Sequence, residues 1–294
     1  MITDKLHNDK DVKLLTQQGL DFSTHNKYLF LEADFLLWQA KYLSEIPDFI
    51  NAEERFLRVV ELGNKLNINK LVTSAGTSLA FLYYNQEDNE KAFELTKKIL
   101  INVTDYKNTQ AITLLQLAGL TSFNLHYYEI ANSYLKEAIR NSEEMNNPVF
   151  KSRSYTFLAL TLSEQKNFNQ ADNFYSKAEL EINNIKDETA RLESLAWIFG
   201  YKAKLRLLES KYNEAIELYE NKLSIMDKIH LVNNLEFSQS HEAIAIALSA
   251  IGQQEKAQKY STIAKNYQRI ADTNNQRINC LLALVPINCN LKEQ

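Results

Sequence analysis

Five histidines, His7, His25, His126, His230 and His241, are the side chains of this chain best suited to metal ligation or proton transfer near neutral pH. No two of them stand at metal-ligand spacing. None belongs to an HExxH helix, and the chain has no glycine-rich phosphate loop or nucleophile elbow. Cys280 and Cys289 lie nine residues apart, which fits neither a disulfide framework nor a zinc site, so both read as reduced, ordinary cysteines. The acid pairs Glu53-Glu54 and Glu143-Glu144 are adjacent in sequence, and neighbours on a helix point apart, so they read as solvated faces rather than an acid-base pair. His241 reads as a half-buried, hydrogen-bonded histidine. These observations predict no catalytic residues, no metal and no cofactor.

One basic group stands out. The segment "YKAKLRLLESK" carries Lys202, Lys204 and Arg206 close to Trp197, with Arg153 further upstream. One reading is a basic pocket for a carboxylate or phosphate. The other, which is preferred, is a slightly rotated helix with Tyr201, Leu205 and Leu208 in the core and the basic stems lying over it.

The elements that position these residues are helices. The chain is 45% hydrophobic, enough for a large core, yet has only six glycines and three prolines, Pro47, Pro148 and Pro286. That is too little turn chemistry for a many-stranded sandwich, barrel or propeller. A formal net charge of -4 with no lysine and arginine run argues against direct nucleic-acid binding. The N-terminus has no apolar signal core and no stretch is long enough for a membrane span, which predicts a cytoplasmic protein without membrane contact.

An internal repeat gives the helices their order. "HYYEIANSYLKEAIR" has an aromatic residue, then Ala131, then a bulky residue four further on, and the same pattern recurs around Ala52, Ala171 and Ala215, with weaker copies around Ala92 and Ala257. The spacings are 40, 39, 40, 44 and 42 residues. Twelve residues before each alanine stands another small residue: Ala40, Ala80, Gly119, Ala159, Ala203 and Ala245. Turn-forming segments such as "SEQKNFN" separate the two, so each repeat is a helical hairpin whose helices cross closely at small side chains. First helices are expected at about 27-45, 68-86, 107-125, 148-166, 188-210 and 231-251. Second helices are expected at about 48-66, 88-104, 127-145, 168-186, 212-228 and 254-271. Pro148 falls at the start of a helix, where proline is tolerated. Residues 272-294 are expected to form a separate capping helix and tail, and residues 1-29 an N-terminal cap, around six repeats in 30-271.

This pattern resembles the tetratricopeptide repeat, with longer units than the standard 34 residues. It is similar to the units of kinesin light chains and of bacterial regulatory and peptide-sensing proteins. The resemblance implies an all-α, right-handed superhelical solenoid of about six hairpins, whose inner groove is lined by first helices. The family's groove positions map here to Ser74, Thr77, Phe81 and Tyr84, then Thr113, Gln116, Leu120 and Phe123. They continue with Arg153, Thr156, Leu160 and Ser163, then Trp197, Gly200, Lys204 and Leu207, then Gln239, Glu242, Ile246 and Ser249. The residues expected to bind a partner are Thr77, Phe81, Tyr84, Gln116, Leu120, Phe123, Arg153, Thr156, Leu160, Trp197, Lys204, Gln239 and Glu242.

The resemblance thus implies a non-enzymatic scaffold or ligand-sensing regulator that binds a protein or peptide in its groove. The alternative is an effector that acts on a signalling partner, a phosphoprotein or the transcription machinery, through its outer face. About 30 residues before the first repeat are too few for a helix-turn-helix domain, which argues against a complete transcription factor, an objection that a chain cut from a larger regulator would remove. The oligomeric state stays open, with self-association allowed.

Overall fold

The computed structural model describes residues 2-45, 48-101, 103, 108-230 and 233-281, with side chains between residues 14 and 272. Among them are thirteen α-helices. They are α1 (Ile2–His25), α2 (Leu29–Glu45), α3 (Phe49–Lys65), α4 (Asn69–Asn85), α5 (Asn89–Leu100), α6 (Thr109–Asn124) and α7 (Tyr128–Glu144). The remaining six are α8 (Pro148–Glu164), α9 (Phe168–Ile182), α10 (Glu188–Leu208), α11 (Tyr212–Lys228), α12 (Asn234–Ala250) and α13 (Gln254–Leu281). The even-numbered helices are the first helices of the repeats.

Most ends fall within three residues of expectation, but α5 and α9 each stop four residues early. The break expected after Asp272 is absent, since α13 runs on to Leu281 as one helix. "DTNNQRINCLLALV" contains neither glycine nor proline before Pro286, so nothing in it forces the helix to stop. The cysteine side chains, Pro47, Pro286 and residues 282-294 lie outside the described residues.

All twelve repeat-defining small residues are buried, and nine of the eleven alanines, from Ala40 through Ala215, are fully inaccessible. A methyl group or hydrogen at these places lets two helix axes approach, and a larger side chain would have to displace the partner.

A common joint closes most of the helices. At nine helix ends the chain takes one residue into the left-handed region, and only one of these is glycine, Gly252 at φ 79°. The others include Asn67, Asn146, Lys166 and Ser210. The following residue's N–H then reaches back to the carbonyl five before it: Ile68 to Gly63 at 2.8 Å, Asn167 to Leu162 at 2.9 Å, Lys211 to Arg206 at 2.8 Å. This satisfies a terminal carbonyl and reverses the chain in three residues, which is how so few glycines suffice. The next helix is often capped by an acid or amide, as where Asp187 accepts from the Ala190 N–H at 2.7 Å and Asn108 from the Ala111 N–H at 2.9 Å.

The chain divides into two compact units, Met1–Leu125 and His126–Gln294. In the first, Phe56, Val59 and Leu62 of α3 pack with Leu36 of α2 and Leu79 and Leu82 of α4. Helix α1 covers α2: Gln39 donates to Gln17 at 3.3 Å, and the Phe35 ring lies where a Cβ on Gly19 would be. In the second unit, Tyr219 of α11 packs with Ile244 and Leu248 of α12 and Ala257 of α13. First helices also pack on the next first helix, α2 on α4 and α4 on α6 in one unit, α8 on α10 in the other. Each is therefore buried on several sides; eleven residues of α8 are buried against four of its partner α9.

Tyrosines tie neighbouring helices together and alter the reading of the acid pairs. Tyr83 donates to Glu53 at 2.6 Å and Tyr155 to Glu143 at 2.5 Å, so the first acid of each pair is a structural acceptor rather than only a solvated face. Tyr260 donates to Glu220 in the same way at 2.8 Å.

Candidate functional site

In the N-terminal unit the groove positions lie on α4 and α6, and their polar groups are largely taken up. Thr77 is buried and its hydroxyl donates to the Thr73 carbonyl at 2.6 Å. Gln116 is also buried. Phe81, Tyr84, Leu120 and Phe123 are half-buried. Burial pushes the Tyr84 pKa upward, while Asn124, donating to its phenol oxygen, works in the opposite direction.

In the C-terminal unit Thr156 and Leu160 of α8 are buried, and the Thr156 hydroxyl donates to the Ser152 carbonyl at 2.8 Å. Four of the thirteen expected binding residues, Thr77, Gln116, Thr156 and Leu160, are thus buried, because α4, α6 and α8 each pack on a second helix and on another first helix. Arg153 and Trp197 are different. Trp197 is 41% exposed, and the Arg153 guanidinium stands over its ring at 5.9 Å. Crowding lowers the Arg153 pKa and the nearby Glu193 carboxylate raises it; an arginine remains charged regardless.

Two cavities flank Trp197. The smaller, about 80 Å³, lies between α8 and α10 against Ser152, Arg153, Thr156, Phe157, Glu193 and Ser194. The larger, about 290 Å³, lies where α10 fails to pack along α12 as it does along α8. Its walls are Trp197, Gly200, Tyr201 and Lys204 of α10 and Glu236, Gln239 and Ser240 of α12, with Tyr219 and Lys222 of α11. Lys222 is 3.0 Å from Glu236, and Lys204 is 2.9 Å from Glu164. Ser240 is 2% exposed, and its hydroxyl has no hydrogen-bond partner. Glu242 is exposed on α12 and takes no part in this lining.

Tyr219, Lys222, Glu236 and Ser240 were not among the residues expected from the sequence. The first two come from a second helix, which the groove positions leave out. The one legible signal was Gly200, a glycine inside a helix, where a close approach is the usual reason.

The other basic residues do not form a binding pocket. Lys202 is 2.8 Å from Glu179. Arg206, 9% exposed, is surrounded by Asp172 at 2.7 Å, Glu209 at 2.5 Å and Glu214 at 2.8 Å, joining α9, α10 and α11. Burial pulls its pKa down, and the hydrogen bonds and charges of Asp172 and Glu209 together carry it above the ordinary arginine value. The expected rotation is only partly seen: Leu205 is fully buried and Tyr201 half-buried, but Leu208 is 44% exposed, because the helix ends there at the turn to α11. His241 is half-buried as expected, 2.7 Å from the Phe237 carbonyl through Nδ1 and flanked by Phe237, Tyr260 and Tyr267. Among the described residues no acid, histidine and cysteine cluster could hold a metal, and no helix is long and apolar enough to cross a membrane.

No family model matches the sequence, and no curated protein matches it. Solved structures do. Aspartyl phosphate phosphatase F from Bacillus subtilis superposes with a TM-score of 0.61 at 13% identity, covering 85% of this chain and 74% of that one. A Rap protein complexed with competence and sporulation factor gives 0.58 at 11%, covering 81% and 75%. BtubC from P. vanneervenii gives 0.56 at 16%, covering 87% and 92%. With the thirteen helices in consecutive packed pairs, these similarities establish the fold as a tetratricopeptide-like helical repeat solenoid.

Proposed function

We propose that this chain is a non-enzymatic repeat protein that binds a protein or peptide through the exposed strip of its first helices, as a scaffold or a ligand-sensing regulator. The observation that carries the reading is the Arg153 and Trp197 pair. Tryptophan and arginine are the residue types that dominate binding energy at protein interfaces, and here they stack on each other between two cavities. Neither is needed to close the core. That a Rap protein of the same fold was solved in complex with competence and sporulation factor supports a peptide as the ligand class. Within the same unit, Lys204 and Gln239 line the larger cavity beside Trp197 and supply polar contacts for the rest of the partner.

The test is to pan a random-peptide library on the protein and on Arg153→Ala/Trp197→Ala. Peptides that bind the first and lose about tenfold or more in affinity for the second would support the reading. Equal binding to both, with the variant folded, would remove it.

A further inference from the structure

We propose that the cleft between α10, α11 and α12 receives a carboxylate group carried by a peptide, either an acidic side chain or a C-terminus. The carrier rests on the peptide-binding reading above; the chemistry rests on the cleft alone. Ser240 is the starting point. A buried hydroxyl without a partner is costly to a folded protein, and this one lines a space of about 290 Å³ that a ligand oxygen could enter. Lys222 lines the same space with a side chain only 12% exposed. An ammonium has three protons to donate, and Glu236 engages one side of it, so a second acceptor can be held without breaking that pair.

Gly200 has a specific part in this arrangement. A Cβ at that position would lie 3.1 Å from Lys222 Cδ and 3.4 Å from its Nζ. The glycine therefore lets the lysine stem lie across α10 with the ammonium in the cleft. Gln239 adds an amide, and Lys204 stands on the same lining.

Lys222 meets Glu236 and Lys204 meets Glu164, so the lining has no surplus of positive charge, and a singly charged carboxylate is held by the remaining protons of Lys222 together with the Ser240 hydroxyl. Glu236 in the wall would repel the second charge of a phosphate. Trp197, Tyr201 and Tyr219 offer apolar faces for the methylene groups that an acidic side chain brings with it.

The experiment uses the full chain with Trp38→Phe, so that Trp197 is the only tryptophan, and follows its fluorescence. The probes are N-acetyl-glutamate amide, the matching glutamine compound and inorganic phosphate. Saturable binding of the acid, about tenfold or more weaker binding of the amide, and weakening by about five- to tenfold in Gly200→Ala and in Ser240→Ala are expected. Gly200→Ala keeps the helix, so an unchanged melting temperature with lost binding separates the cleft from the fold. Equal binding of acid and amide, tighter binding of phosphate, or indifference to Gly200→Ala would each overturn the proposal. Two outcomes separate it from the broader reading. If panned peptides bind with no need for an acidic group, the carboxylate site falls and peptide binding stands. If the acid probe binds as described but panning yields no peptide, the site stands and peptide binding falls.

Discussion

The groove positions of the two compact units have the same origin in the repeat but different fates. In the N-terminal unit α2, α4 and α6 pack one on the next, Thr77 donates to its own helix, and Asn124 donates to the Tyr84 phenol. In the C-terminal unit α10 packs along α8 but stands off from α12, and Ser240 is left inside the gap with its hydroxyl unpaired. A repeat therefore specifies where a groove runs without specifying where it opens. Opening follows from a local failure of neighbouring first helices to meet, and polar groups there stay available to a ligand.

The largest test of the comparison is Arg206→Met. Arg206, on a helix that frames the cleft, holds Asp172 of α9, Glu209 at the end of α10 and Glu214 of α11 together. Removing it leaves mutually repelling carboxylates, of which Glu209 is well covered, and is expected to cost about 3 kcal/mol. Chemical denaturation should show the loss in the transition of the C-terminal unit, and a loss shared equally by both units would deny their separateness.

Alkaline pH provides the next test. Burial pushes the Tyr219 pKa up to about 12, and burial followed by the bond to Glu220 pushes Tyr260 up to about 12. Tyr155 and Tyr175 are raised as well, so the C-terminal unit holds more such groups than the N-terminal one, where Tyr83 and Tyr84 are raised. The folded state keeps these protons longer than the unfolded chain, whose tyrosines titrate near 10. Their contribution is full below pH 10 and is lost as pH rises towards 12. Tyr219→Phe should flatten this loss by roughly 2 to 3 kcal/mol. An unaltered alkaline limb in melting temperature against pH would show that the phenol does not titrate as its burial requires.

A paired substitution reads the contrast directly. Tyr84→Phe removes a satisfied hydroxyl and should destabilise by about 1 kcal/mol. Ser240→Ala removes an unsatisfied one and should be neutral or stabilise by up to about 1 kcal/mol. Equal losses for both, measured by denaturation, would mean that Ser240 has a partner after all.

The smallest effect concerns the joints rather than the groove. Lys166 has a φ of 62°, a conformation that costs an L-residue and suits glycine. Lys166→Gly should stabilise by about 0.5 kcal/mol after the entropy of the unfolded chain is counted. A lower melting temperature would show that the lysine side chain contributes more than its backbone costs.

The hairpins were legible because close crossing demands a small side chain at a fixed place, and the demand repeats. Ala52, Ala131, Ala171 and Ala215 could be aligned from spacing alone, and their burial is complete. The joints were less legible, since Lys166, Ser210 and Glu87 carry the left-handed conformation that turn signals usually assign to glycine or asparagine. The site was legible only in part. Arg153, Trp197, Lys204 and Gln239 line cavities, whereas Thr156 also lines one but has its hydroxyl already bonded. Thr77, Gln116 and Leu160 are buried on first helices that pack against another first helix about a repeat away in sequence.

By itself, the sequence determined the helices, their pairing and the places where axes approach, because these depend on side-chain size within a repeat of about 40 residues. Tertiary structure decided which lysines are committed to carboxylates, how far apart α10 and α12 stand, and that Lys222 and Tyr219 of a second helix reach the cleft. Those outcomes depend on the distance between helices of successive repeats. Small differences in that distance separate a packed core from a cleft, and no single repeat encodes them.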